Sequence, residues 1–145
     1  MKTSNLSVLR VIFCFAAIAL ATNVSSGQEN TAIWEGVYTA EQAARGEAVY
    51  TATCIACHGQ DLGGNSNSPG LVGMGFMFLW EGRTLGAFYE KIQAEMPTDR
   101  PGQLPAKDYL DVVAYILHKN AFPEGDEELP SSVEALDSIA IVSKP

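Results

Sequence analysis

Cysteine and positive charge are both scarce in this sequence. Three of the 145 residues are cysteine, so at most one disulfide can form, which excludes a scaffold held by several disulfides. Nine basic residues stand against 17 acidic ones, and the net charge of −8 argues against a protein that binds nucleic acid through a basic surface of its own. After residue 24, no apolar run reaches the ~20 residues of a membrane span. The length suits one globular domain.

The first 26 residues have the pattern of an export signal. Lys2 and Arg10 precede the apolar run 11–21, and the small residues that follow allow cleavage before Thr22 or before Gly27. We therefore expect a periplasmic protein, with retention of this segment as a membrane anchor as the alternative. Cleavage after residue 26 removes two bases, no acid and one cysteine, so the mature chain has a net charge of −10 and two cysteines.

The remaining sequence divides into three parts. Residues 27–38 are a lead-in, residues 39–122 form the main domain, and residues 123–145 are a C-terminal extension. The extension begins with an acidic run that we expect to be solvated. It ends in a modest apolar stretch, residues 135–142, that we expect to pack on the domain.

Helices dominate the prediction for the main domain. Apolar residues spaced three or four apart predict helices from residue 40 to 52, from 85 to 95 and from 105 to 119, whereas residues 71–80 fit either a strand or a short helix. These helices alone bury little, and the long loops between them need something to organise them. The pattern therefore indicates an all-α domain built around a large buried prosthetic group.

The ends of the helices carry recognisable signals. Thr39 and Gln42 form a predicted capping box, in which each side chain satisfies a backbone N–H of the first turn. Thr84 is the predicted cap of the second helix, and Asn120 is the predicted left-handed residue that terminates the third.

The chemistry is carried by a Cys-x-x-Cys-His run from Cys54 to His58. Cys54 and Cys57 lie on one face of a helical turn, so their thiols can bond the two vinyl groups of one porphyrin while His58 reaches the iron. A zinc site that recruits His118, a thioredoxin-like redox pair and a structural disulfide are the alternatives. Adjacent ligands suit a zinc tetrahedron poorly, strands are lacking around the motif, and a bridge across two residues is strained. Covalent haem attachment is therefore the favoured interpretation.

With its flanking residues, the motif resembles the class I cytochromes c. The residues that carry the resemblance are Gly46, Tyr50, Cys54, Cys57, His58, Gly59, Pro69, Leu71, Met96, Pro97, Ala114 and Tyr115. It extends over residues 39–120 and implies the class I cytochrome c fold, with three to five short helices and long loops around one covalently bound haem c. The resemblance also implies that Gly46 permits a close crossing of the first and last helices.

Within that family, the chain is most similar to the mono-haem cytochromes c associated with quinoprotein (PQQ-dependent) alcohol dehydrogenases. The stretches that suggest this are residues 60–62, Phe76 with Trp80, residues 96–102 and residues 114–123.

The resemblance implies a role for individual residues. Cys54 and Cys57 hold the haem, His58 is the proximal iron ligand and Met96 is the distal one, because a thioether suits both ferrous and ferric iron. The carbonyl of Pro69 accepts a hydrogen bond from the other ring nitrogen of His58.

Other residues have weaker claims to a role. Trp80 is a candidate donor of its indole N–H to a haem propionate, with Arg83 as a candidate counter-charge; a core aromatic and a solvated cation are the alternatives. Met74 and Met77 are the rival distal ligands. His118 is predicted to lie at the surface, and the less favoured alternative is that it ligates the iron as the distal residue.

These features predict an electron-transfer protein and not an enzyme. We expect a periplasmic one-electron carrier that accepts electrons from a redox protein, such as a PQQ-dependent dehydrogenase, and passes them to an oxidase or another cytochrome. The charge of −10 predicts partners with basic docking patches and salt-sensitive association, with no nucleic acid and no stable membrane span in the mature form. The alternatives are a haem enzyme or gas sensor with an open distal site, and a fixed cytochrome subunit of a dehydrogenase complex.

Overall fold

The computed structural model describes residues 31–144, so the predicted export signal and the first four residues of the lead-in, 27–30, lie outside the described residues. The described part is mostly helical, as the sequence predicts. Its helices are α1 (Ala40–Thr53), α2 (Ile55–His58), α3 (Gly73–Trp80), α4 (Leu85–Glu95), α5 (Ala106–Lys119) and α6 (Val133–Asp137). A 3-10 turn spans Ile33–Glu35, and two short strands, β1 (Thr31–Ala32) and β2 (Ile139–Ala140), pair in parallel. None of the helices in residues 31–144 has the length and apolarity needed to cross a bilayer.

The helix boundaries follow the sequence signals closely. The predicted helices at 40, 85 and 105 begin and end within about a residue of α1, α4 and α5, and the ambiguous stretch 71–80 forms α3. At the start of α4, the hydroxyl of Thr84 accepts the N–H of Ala87 at 3.1 Å. The helix ends at Glu95 because Met96, the residue before Pro97, is driven to extended geometry. Two short helices, α2 and α6, raise the number of helices to six in the described range.

The capping box prediction is only half right. The Thr39 hydroxyl accepts the N–H of Gln42 at 3.1 Å, but the Gln42 side chain is buried and turns away from the cap. Its Oε1 instead accepts the N–H of Leu129 at 2.9 Å. Gln42 therefore joins α1 to the C-terminal extension. The N–H of Leu129 is buried, so leaving it without an acceptor would cost more free energy than leaving an N–H at the start of α1 without one.

The prediction for Asn120 is wrong. Its φ is −89°, and the left-handed residue is Ala121, with φ of 60°. The Asn120 side chain instead accepts the N–H of Gly73 at 2.8 Å and donates to the carbonyl of Leu71 at 2.9 Å. It thereby ties the start of α3 to the end of α5.

Helices α1 and α5 cross in direct backbone contact at Gly46. A Cβ atom at this position would overlap the carbonyl oxygen of Asp111 and lie 2.9 Å from the Cβ of Tyr115. One turn further along, the rings of Tyr50 and Tyr115 pack at a centroid distance of 5.4 Å. The expectation that Gly46 allows a close crossing is confirmed, and the crossing holds the end of α1 against the middle of α5.

An ion-pair network surrounds this crossing. Asp111 is buried, with 2% of its surface exposed, and its carboxylate accepts two hydrogen bonds from Arg45, at 2.9 and 3.0 Å, and one from Lys107 at 2.6 Å. Arg45 also contacts Glu128 of the extension at 2.8 Å. The network therefore links α1, α5 and the extension, and the Glu128 pair, being exposed, adds little free energy of its own.

The C-terminal extension is packed against the helices. Leu136, Ile139 and Ile141 are buried, and the backbone of Ile141 exchanges hydrogen bonds with that of Gly82 and Arg83, each at 2.9 Å. These contacts fix the turn between α3 and α4 and so hold the C-terminal end of α3 in place.

Gly46→Ala should destabilise the protein, because the new methyl group meets backbone atoms of α5 that cannot move aside without separating the helices. We expect a loss of about 1–3 kcal/mol in the free energy of unfolding, measured by denaturant titration of the mature protein. Gly75→Ala in α3 is the matched control: its Cβ would meet nothing closer than 3.7 Å, so helix propensity should leave it neutral or slightly stabilising. Equal stability of the two variants would contradict the close crossing.

Asp111→Asn should reduce stability in a pH-dependent way. Burial alone would raise the pKa of Asp111, but the hydrogen bonds from Arg45 and Lys107 outweigh it and hold this pKa below its ordinary value of 3.8. The ionised carboxylate therefore contributes stability above about pH 4, and this contribution is lost as the pH falls through the lowered pKa. We expect the free energy of unfolding of the variant to be about 1–3 kcal/mol lower than that of wild type at pH 7. This difference should shrink toward pH 3 when unfolding curves of the two proteins are compared. A deficit that does not change with pH would contradict this assignment.

Candidate haem site

The Cys-x-x-Cys-His motif forms a tight helical turn directly after α1. The N–H of Cys54 still bonds the carbonyl of Tyr50 at 2.8 Å, and the N–H groups of Cys57 and His58 bond the carbonyl of Cys54 at 3.1 and 3.0 Å. Both cysteines are free thiols; Cys54 is half-buried and Cys57 is exposed. Burial raises the pKa of the Cys54 thiol although the Thr53 hydroxyl lies 3.2 Å from its sulfur. The turn thus presents two thiols and an imidazole together.

The ring of His58 is buried and held in one orientation. Its Nδ1 lies 3.0 Å from the carbonyl oxygen of Pro69, the contact that the resemblance implies. A carbonyl can only accept, so Nδ1 carries a proton and donates, and in the neutral ring the lone pair is then on Nε2. Neutral imidazole in this tautomer is the form that binds metals.

Asn65 builds the loop that places Pro69, and the sequence analysis missed it. Its Nδ2 donates to the carbonyl of Cys57 at 2.7 Å, and its Oδ1 accepts the N–H groups of Asn67 and Ser68 at 2.8 and 3.2 Å. The loop after the motif is therefore fastened to the motif itself. The available signal was an Asn at the start of an Asn/Ser/Pro cluster, which is typical of an Asx turn.

A cavity of about 430 Å³ opens beside the motif. Six residues singled out from the sequence line it: Cys54, Cys57, His58, Pro69, Trp80 and Met96. Helices α3, α4 and α5 add apolar side chains to the wall, namely Leu79, Phe88, Ile92, Val112 and Ile116. The end of α1 and the loop of residues 97–100, which includes polar side chains, also line the cavity. One cavity thus combines thiols, an imidazole and a thioether with apolar walls.

Met96 reaches this cavity from the end of α4. Its N–H bonds the carbonyl of Ile92 at 2.9 Å, and its own carbonyl accepts the hydroxyl of Tyr109 at 2.7 Å. The same hydroxyl accepts the N–H of Leu104 at 3.4 Å. Tyr109, buried in α5, therefore anchors both ends of the loop that follows α4, and leaves the thioether of Met96 on the cavity wall.

The rival ligands lie away from the cavity. Met74 is 89% exposed, and Met77 packs against the hydrophobic core. His118 is exposed, as predicted, with its Nδ1 3.0 Å from a carboxylate oxygen of Glu124. None of the three is among the residues that line the cavity.

The structure separates the two propionate candidates. Trp80 lies on the cavity wall, with its ring packed edge-on against Phe88 at 4.6 Å, and its indole N–H has no hydrogen-bond partner among residues 31–144. Arg83 lies over the Trp80 ring, 5.5 Å from its centroid, but outside the cavity lining. The cations on the wall are Lys91 and Arg100, and of these Lys91 is paired with Glu95 at 2.6 Å. Arg100 belongs to the 96–102 stretch that carries the resemblance, whereas Lys91 was not singled out from the sequence.

The residues present fit a covalently bound haem. Two thiols three residues apart can form thioethers, the Nε2 side of the His58 ring is free of protein partners, and the thioether of Met96, a ligand type suited to haem iron, belongs to a residue that lines the same cavity. The surrounding apolar side chains suit the faces of a porphyrin. In the described part of the chain, no group of three or more His, Cys, Asp or Glu residues is arranged to hold a metal ion.

Comparison with known families agrees with this interpretation. Residues 41–116, just over half of the chain, match the family described as cytochrome c oxidase, cbb3-type, subunit III. The chain therefore belongs to this family, and the matched region is a cytochrome c domain, which binds haem and serves in electron transfer. Among proteins with curated functions, no significant match to the sequence is found.

A solved structure shows the same fold. The sulfane dehydrogenase SoxCD from Paracoccus pantotrophus superposes with a TM-score of 0.51 at 20% sequence identity, over 74% of this chain. The match spans 61% of the SoxCD chain, so it concerns the fold alone. The prediction of a class I cytochrome c fold is confirmed.

Proposed function

We propose that this chain is a periplasmic mono-haem cytochrome c that carries one electron at a time, and that His58 and Met96 are the residues that would hold its iron. The single observation that carries the proposal is the shared cavity, whose wall holds both thiols, the imidazole and the thioether. When bound, the haem supplies one-electron chemistry, its iron alternating between the ferric and ferrous states. Electron transfer of this kind needs no nucleophile and no acid–base pair.

His58 and Met96 set the electronic character of the site. The Pro69 carbonyl accepts the Nδ1 proton of His58, which keeps the ring in place and makes Nε2 a better donor. The thioether of Met96 is a soft ligand that favours the reduced state and so raises the reduction potential. With both His58 and Met96 holding the iron, little rearrangement would accompany a change of its charge.

The apolar wall has a second effect on the potential. Phe88, Val112 and Ile116 are each almost fully buried, so they keep water away from one side of the cavity. Low polarity around a redox centre disfavours the more highly charged state and is one of the means by which a protein adjusts its potential.

For the electron donor, we propose a quinoprotein-type dehydrogenase, and for the acceptor a respiratory oxidase or another cytochrome. The support is the sequence similarity of residues 60–62, 96–102 and 114–123, together with Phe76 and Trp80, to the cytochromes that serve such dehydrogenases. Of these, Trp80 and the start of the 96–102 loop lie on the cavity wall. The charge of −10 after signal cleavage favours partners with basic patches.

Intact mass and a pyridine haemochrome assay on the protein matured in a periplasm test the proposal. We expect the mass of a chain cleaved before Thr22 or Gly27 plus one haem that resists acid extraction. The double variant Cys54→Ala/Cys57→Ala should lose the covalent haem, because both thioether positions are gone. Cys14→Ala, which changes the third cysteine within the predicted signal, is the matched control and should mature normally. A folded, colourless wild-type protein at its bare polypeptide mass would refute the proposal.

Carbon monoxide distinguishes a carrier from a haem enzyme or gas sensor with an open distal site. The spectrum of the reduced wild-type protein should barely respond to the gas, whereas Met96→Ala should bind it readily because the distal position is freed. Met77→Ala is the control, since Met77 lies off the cavity and should behave as wild type. Equal binding by wild type and Met96→Ala would rule out Met96 as the distal ligand.

The same site would also serve a fixed cytochrome subunit of a dehydrogenase complex. Size-exclusion chromatography of a native extract separates the two possibilities: a free carrier elutes at the mass of the mature chain, and a subunit elutes with the complex.

A further inference from the structure

Helix α3 exposes large apolar side chains in a way that the fold does not require. All eight of its residues are apolar or glycine, yet Met74 is 89% exposed and Phe78 is 90% exposed. Residues 74 and 78 are one turn apart, so they form a single ridge, and Leu79 beside them is 42% exposed. Within residues 31–144, these three are the exposed large hydrophobic residues.

The inward side of α3 accounts for its apolar character only in part. Phe76 and Trp80 are buried, and their rings pack on Phe88, so two side chains suffice to hold the helix on the domain. A polar residue at 74 or 78 would leave that packing intact. Contiguous exposed apolar side chains on an otherwise acidic protein indicate a surface that another molecule covers.

The ridge adjoins the proposed haem site. Leu79 is exposed on one side and lines the cavity on the other, and its neighbour Trp80 is part of the same wall. The C-terminal end of α3 is held by the extension, through the hydrogen bonds of Ile141 with Gly82 and Arg83. The ridge is therefore a fixed feature at the mouth of the cavity.

The size of the ridge limits what can cover it. A stable interface buries about 800 Å² on each partner, whereas three side chains, one of them less than half exposed, supply at most a few hundred. That area is too small for a permanent dimer of this chain. It suits the weak, short-lived contacts of electron-transfer partners.

From these observations we infer that Met74, Phe78 and Leu79 form the docking surface for a redox protein partner, one that presents an apolar patch surrounded by basic residues. This inference rests on the proposed function, since a partner seated there lies next to the cavity wall. The ridge itself carries no charge, and the net negative charge of the chain attracts the partner from a distance. The acidic residues of the chain thus attract the partner, and the apolar ridge makes the final contact with it.

The test compares the mature, haem-loaded wild type with Met74→Ser/Phe78→Ser as substrates for oxidation by respiratory membranes of the source organism. The double variant should show a KM at least about tenfold higher with an unchanged kcat, because the partner loses its apolar contact. Its absorption spectrum, reduction potential and stability should equal those of wild type, because both side chains are exposed. The conservative double variant Met74→Leu/Phe78→Leu should keep a KM near the wild-type value.

Three results would overturn the inference in different ways. An unchanged KM in the serine variant shows that the ridge does not bind the partner, while the proposed function stands. Sedimentation that finds a wild-type dimer and a monomeric serine variant assigns the ridge to a second copy of the chain. A wild-type protein without haem refutes the proposed function, and the docking surface with it.

Discussion

The contact of α1 with α5 at Gly46 is the constraint on which the haem site depends. The Cys-x-x-Cys-His turn begins where α1 ends, so the position of its thiols and imidazole is set by the angle and depth of that crossing. Val112 and Ile116 on α5 form the wall beside them. A crossing only slightly wider would separate the motif from this wall. The buried carboxylate of Asp111 strengthens the same crossing, because Arg45 of α1 reaches it from the facing helix, while Lys107 of its own helix supplies a second cation.

Local chemistry made much of the fold predictable. The helix boundaries follow from apolar spacing, from the hydroxyl of Thr84 and from Pro97, all of which act within one or two turns of the chain. The six candidate site residues also come together around one cavity. The assignment of their roles as ligands stays a prediction.

What the sequence did not reveal are the contacts between distant segments. The side chain of Gln42 forms a hydrogen bond with the backbone of Leu129, 87 residues away. The side chain of Asn120 bonds the backbone of Leu71 and of Gly73, which are 49 and 47 residues away. Both amides look like ordinary helix-end residues, and only the folded arrangement shows which buried backbone group needs them. Lys91 was missed for the same reason, since only the folded arrangement shows that it lies on the cavity wall.

The hydrogen bond from Tyr109 to the main chain of Met96 has a consequence for how this scaffold can diversify. Because α5 holds the backbone at position 96, the loop keeps its course whatever side chain stands there. With Met96 as the proposed ligand, replacement of that one side chain would alter the affinity of the site for electrons, or admit a small gas, without rebuilding the domain. The side chain of residue 96 thus determines the reactivity of the site, and its main chain holds the loop in place. Evolution or design can change the side chain while the loop is retained.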